Sequence, residues 1–185
     1  MPETSERLAV AVDLGGTNLT CGVIDRRGRV LAEVHRSSQA DRDATEIVAN
    51  LVNAVEQTLA EAQATPAQVD GIGIGAPGIV YPEEGVIHRA ANFPACRDLP
   101  LARLVATRFG LPVRLYHDVD MAVLAEWRLG AGRGRRHLVC FTVGTGIGMG
   151  MILNGQLYTG TRAGAGNLGH LILETQADPE ECRNG

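Results

Sequence analysis

One pattern occurs twice in this sequence and constrains its fold more than any other feature: an apolar strand runs into a glycine turn and continues as a second strand. The first copy runs through Ala9 to Leu14, the turn Gly15-Gly16-Thr17-Asn18, and Leu19 to Asp25; the second runs through Leu138 to Val143, Gly144-Thr145-Gly146, and Ile147 to Leu153. A simple hairpin needs glycine only for positive φ. Here the turns also carry Thr17 and Thr145, and Asp13 closes the first strand. Glycines let backbone N–H groups crowd around an anion, a Thr hydroxyl adds a donor, and a carboxylate can hold the Mg²⁺ that accompanies a nucleotide. Either turn alone reads as a tight hairpin in a β-rich core. The pair, with Asp13, points to two related half-domains gripping one polyphosphate across a cleft, with Asp13 and Thr17 facing Thr145. Two copies at long range indicate a duplicated domain, not a solenoid.

The rest of the composition is that of a soluble globular protein, with 45% hydrophobic and 21% charged residues among 185. A net charge of −4 and no basic cluster beyond Arg133, Arg135 and Arg136 argue against a nucleic-acid partner. Met1 to Arg7 is polar, and no apolar run approaches membrane-spanning length, so a cytoplasmic protein without a membrane partner is expected. Cys21, Cys96, Cys140 and Cys182 are scattered too widely for a disulfide framework.

Strands are expected at Leu8 to Leu14, Thr17 to Asp25, Arg29 to Ser37, Val69 to Gly75 and Val113 to Tyr116. Helices are expected within Asp43 to Gln63, where Ile47, Leu51, Val55 and Leu59 recur at helical spacing, at Leu101 to Phe109 before Gly110, and at Val119 to Leu129. Ala76-Pro77-Gly78 reads as a loop. After an antiparallel start, strands and helices alternate, which indicates an α/β fold with a mixed sheet. Ligands of such folds gather at the carboxyl ends of strands, where Asp13, Gly75 to Gly78, Asp118 and Gly144 to Gly146 all fall.

These segments resemble the ROK family of repressors, open reading frames and sugar kinases, within the actin-like ATPase superfamily. Asp13 to Asn18 and Val143 to Gly148 are similar to the family's two phosphate motifs, Gly73 to Gly78 to the segment bordering the sugar, and Gly164 to His170 to a sugar- and zinc-binding segment. The resemblance implies an actin-like (ribonuclease H-like) α/β fold in two domains, 1–117 and 118–185, the second incomplete. It implies an ATP- and Mg-dependent hexose or amino-sugar kinase acting as a homodimer. Asp118 stands in the position of the catalytic base. Gly15, Gly16, Thr17, Asn18, Gly144, Thr145 and Gly146 stand at the phosphates, with Asp13 towards Mg. Gly75, Asn92, His117, Asp118, Asn167 and His170 stand towards the sugar. A positioned carboxylate that accepts the hydroxyl proton contributes about 10² to 10⁴ in rate.

The sequence also departs from that family pattern. His117 and Asp120 occupy positions where Asn flanks the base, Asn167 stands where a glutamate binds the sugar, and Cys182-Arg183-Asn184-Gly185 replaces Cys-x-Cys-Gly. Only His170 and Cys182 can then be named for a zinc site that needs four ligands. Because the family's kinases continue beyond the position of Gly185, the hairpin from Leu138 to Leu153 is expected to leave an edge and an apolar face exposed. A non-catalytic sugar sensor is the alternative reading. DNA-binding members carry a helix-turn-helix before the first phosphate motif, and only Met1 to Arg7 precede it here, so direct repression is not expected.

Overall fold

The computed structural model describes residues 7–144, 146–161 and 163–170, apart from the side chain of His170. The chain divides into two compact units, one ending at Asp118 and the other beginning at Val119.

The first unit is organised around β1 (Leu8–Leu14), β2 (Asn18–Asp25) and β3 (Val30–Ser37), which form an antiparallel meander. Leu8, Val10, Val12 and Leu14 alternate with less buried residues and share a face with Leu19, Cys21 and Val23, their register partners or neighbours on β2. That face is covered by α1 (Ala44–Glu61), which packs on β2 and β3 through Ile47, Leu51, Ala54, Val55 and Leu59. Asp43 starts the helix by accepting hydrogen bonds from the N–H groups of Thr45 and Glu46 at 2.8 and 2.9 Å. The β2–β3 turn is held by Asp25, whose covered carboxylate accepts from the N–H groups of Arg27 and Arg29 at 2.8 and 2.9 Å. These bonds hold the Asp25 carboxyl below its ordinary value, the Arg29 N–H first among them.

Beyond β1 the sheet turns parallel. β4 (Val69–Ala76) pairs with β1, and β8 (Val113–His117) pairs with β4, giving the order β3-β2-β1-β4-β8. Three short strands between them, β5 (Ile79–Tyr81), β6 (Val86–Arg89) and β7 (Arg97–Leu99), form a separate antiparallel sheet. The sequence predicts no strands in this region. Runs of three or four residues carry too little alternation to be recognised, although Val80, Ile87 and Leu99 are buried. α2 (Leu101–Phe109) follows, and Gly110 in the left-handed region ends it. An ion pair between Glu56 and Arg108 ties α2 to α1.

In the second unit, α3 (Asp118–Arg128, beginning at the last residue of the first unit) precedes β9 (Leu138–Val143), β10 (Ile147–Leu153) and β11 (Gln156–Leu157), an antiparallel sheet in the order β11-β10-β9. α3 begins one residue earlier than expected, so Asp118 is its first residue instead of the loop residue before it. Val119 and Val123 lie so close to β10 that a Cβ on Gly150 would stand 2.6 Å from the Val119 carbonyl oxygen. Only glycine permits that approach.

The expected exposed face is present on β9. Val139, Phe141 and Val143 alternate outward at 46, 58 and 82% exposure, on a strand that is the edge of its sheet. β1, by contrast, is hydrogen-bonded along both edges. Hydrogen exchange should therefore be markedly slower for the amides of Leu8 to Leu14 than for those of Leu138 to Val143 when the chain is studied alone, and equal protection would contradict the difference in burial.

Candidate functional site

The register of the parallel strands sets residues in a row at their carboxyl ends. Asp13 on β1 pairs with Gly75 on β4, and Gly75 pairs with Tyr116 on β8; one step on, Ala76 pairs with His117. With strands about 4.8 Å apart, β1 and β8 lie about 10 Å from each other across β4. Asp118 begins α3 directly after β8. The structure thus gathers Asp13, Gly75, His117 and Asp118, four of the expected site residues, at one end of one sheet.

The first glycine turn sits at the same end. The Gly15 N–H donates to the Asn18 carbonyl at 2.9 Å. Ser38, buried after β3, donates its hydroxyl to the Gly16 carbonyl at 3.0 Å and its N–H to the Thr17 carbonyl at 2.9 Å. With those carbonyls engaged, the N–H groups of Gly16 and Thr17 have no acceptor among the described residues. Two adjacent amide donors on a partly exposed turn make a place for an anion. Ser38 is a supporting residue that sequence reasoning missed; its only signal was a polar residue after an edge strand.

Gly16 is not at positive φ. What requires glycine there is contact: a Cβ would stand 2.7 Å from Nδ2 and 3.0 Å from Cβ of Asn92. Asn92 lies on the loop between β6 and β7, which is pinned by buried Phe93 and Cys96 and by bonds from the Phe93 N–H to the Ala90 carbonyl at 3.0 Å and from the Cys96 N–H to the Phe93 carbonyl at 2.9 Å. The expected sugar residue Asn92 and the expected phosphate turn are therefore in contact.

Two carboxylates here feel each other's charge. Asp13 is exposed by surface area, yet the surrounding protein withholds enough water to push its carboxyl above the ordinary 3.8, and the charge of Asp118 adds to the rise. On the other side of Asp118, Nδ1 of His117 lies 3.2 Å from Oδ1. Asp120, two residues on, is buried at 7%.

The remaining expected residues belong to the second unit. Gly144 and Gly146 flank the tip of the β9–β10 turn, with the Gly144 N–H donating to the Gly146 carbonyl at 3.0 Å. Neither has positive φ, and an added Cβ on either would meet nothing within 4 Å. Asn167 is exposed on the segment that runs along β10, where the Met149 N–H donates to the Gly166 carbonyl at 3.1 Å. Thr145, Cys182 and the side chain of His170 lie outside the described residues. Among the described residues no group of three His, Cys, Asp or Glu is placed to hold a metal ion, and no helix is long and apolar enough to cross a membrane.

Comparison with known proteins identifies the family and the fold. The sequence model of the family described as ROK family matches residues 9–185. The glucokinase of Thermotoga maritima is 32% identical over 173 residues, covering 94% of this chain and 53% of that protein. A putative xylose repressor of Caldicellulosiruptor sp. is 30% identical over 177 residues, covering 96% of this chain and 44% of its own length. The crystal structure of a ROK family glucokinase from Streptomyces griseus, in complex with glucose and AMPPNP, superposes with a TM-score of 0.81 at 34% identity, over 90% of this chain and 51% of that one. The fold is the actin-like α/β fold of these kinases. The chain spans about half the length of the curated relatives it matches.

Two outcomes test the site's construction. Gly16→Ala should destabilise the first unit by about 1–3 kcal/mol in denaturant titration, because the new methyl overlaps Asn92. Asp13→Asn should do the opposite. A carboxyl whose folded value is raised costs stability once ionised, a cost absent below 3.8 and complete above the raised value. The variant should melt slightly higher than the parent at pH 7, with the difference shrinking as the pH falls towards 3.8.

Proposed function

The chain belongs to the ROK family, and we propose that the protein it forms part of is an ATP-dependent kinase of a hexose or amino sugar. The observation that carries this reading is the row of strand ends: Asp13 beside the open amides of Gly16 and Thr17, with Asp118 close enough to raise the Asp13 carboxyl. Two mutually repelling carboxylates on a partly exposed site are the hard oxygen donors a dication takes, so the residues present fit Mg²⁺, with Asp13 as its holder. When bound, magnesium neutralises charge on the nucleotide phosphates.

In this reading the Gly16 and Thr17 amides hold phosphate oxygens, and Gly144, Thr145 and Gly146 form the second phosphate turn. The glycines at 144 and 146, needed neither for positive φ nor for contacts within the chain's described part, suit close approach of a ligand to the backbone. Asp118 accepts the proton of the attacking sugar hydroxyl. That oxygen forms its bond to the terminal phosphorus, and the bond to the bridging oxygen breaks with its electron pair leaving on the nucleoside diphosphate. Asn92, Gly75, His117, Asn167 and His170 border the sugar. Because His117 and Asn167 differ from the family's usual Asn and Glu, the preferred sugar differs from glucose in the hydroxyls they read.

A sugar-sensing protein is the second reading, favoured by the same two replacements and by the likeness to a putative xylose repressor. In the full-length protein, a screen of sugars by ATP consumption separates the two. For a kinase, Asp118→Asn should lower the turnover of the best sugar about 10²-fold or more while sugar and nucleotide affinity stay within several-fold, and Asp120→Asn should slow it much less. Undiminished turnover in Asp118→Asn would remove the assignment of the base, and binding without turnover of any sugar would make the protein a sensor.

A further inference from the structure

We propose that Arg89 and Arg97 form an anion site for a phosphate monoester, apart from the two glycine turns. The two arginines are direct cross-strand partners on β6 and β7, and both are exposed. Partners in such a pair have Cβ atoms about 4.5–5.5 Å apart, and like charges in that arrangement repel. Neither guanidinium has an acidic partner among the described residues. In a chain with net charge −4 carboxylates are plentiful, yet among the described residues none forms an ion pair with Arg89 or Arg97.

The strands are nevertheless held together at that point. On the opposite face of the same two strands, His88 and Asp98 meet with Nδ1 2.5 Å from Oδ1, and the His88 ring is stacked on Tyr81 with centroids 5.3 Å apart and planes 24° from parallel. Asp98 sits at φ 49, left-handed backbone that a non-glycine residue adopts at a cost. A pinned and strained pair of strands keeps two uncompensated cations side by side. The ligand chemistry this suits is a compact dianion: two planar guanidinium forks donate to phosphate oxygens, and the dianion removes the repulsion between them.

The site has a route to the glycine turn. The chain between β6 and β7 carries Asn92, which rests on Gly16, so an anion drawing Arg89 and Arg97 together acts on the base of the loop that touches the turn. Binding here does not depend on turnover, so its test is separate from that of the proposed kinase.

Heteronuclear NMR of the protein at low salt, observing the Arg Nε–H signals, tests the site directly. The probes are inorganic phosphate, a hexose 6-phosphate and ADP. Saturable shifts of both Arg89 and Arg97 signals are expected, with affinity reduced about tenfold or more in Arg97→Gln through loss of one charged hydrogen-bonding partner. Without ligand, Arg97→Gln should melt higher than the parent at low salt, and about 0.5 M NaCl should erase the difference. Tightest binding of the hexose phosphate would identify a product-type ligand, and tightest binding of ADP a nucleotide. Shifts confined to the Gly16 and Thr17 amides, unchanged affinity in Arg97→Gln, or no gain in its unliganded stability would each overturn the proposal. Arg89→Lys provides a second variant: it keeps the charge, removes the fork, and should bind more weakly than the parent but fold as well.

Discussion

The parallel pairing of β1, β4 and β8 is the constraint on which the chemistry of the first unit rests. Parallel strands end at the same side of a sheet, and their register decides which residues stand abreast there. Because Asp13 is paired to Gly75 and Gly75 to Tyr116, a one-residue slip on β1 would move Asp13 to the opposite face, in among the apolar side chains that α1 covers. The burial of Val10, Val12, Ile72, Ile74 and Leu115 opposes that slip. Hydrophobic packing far from the polar residues thus fixes where the carboxylates stand.

Two aspartates of the same unit illustrate how differently the fold treats a carboxyl group. Asp25 is covered, but backbone N–H groups and Arg29 favour its charged form, and it fastens a turn. Asp13 is more accessible, yet its charged form is disfavoured by its surroundings and by Asp118. The first arrangement is complete within the chain. The second leaves a charge that no ion pair among the described residues balances.

Much of this was legible in the sequence because the relevant signals are local. The strand, turn and strand around Gly15 to Asn18, the apolar stripe of α1 and the stop at Gly110 each lie within a few residues and follow from periodicity and turn chemistry. What was not legible depends on long-range contact. The sheet of β5, β6 and β7 is built from pieces too short to show a period, and its register, which sets Arg89 against Arg97, exists only once Phe93 and Cys96 have anchored the loop between them. The role of Ser38 in fastening the glycine turn was likewise hidden, since 22 residues separate it from Gly16. From the sequence, glycine at position 16 reads as a hairpin turn or an anion-binding turn; the fold gives it no positive φ and adds the nearness of Asn92.

That nearness has a thermodynamic consequence. A turn and a loop that touch through a side-chain amide and a residue without a Cβ cannot move independently, so any ligand that shifts Asn92 alters the free energy of an anion on the Gly16 turn. Linkage would make the effect reciprocal: an anion on the turn would alter the affinity of the Asn92 loop for a ligand by the same factor. Contact between these two segments of the first unit would then couple binding at one to binding at the other, cooperatively or antagonistically.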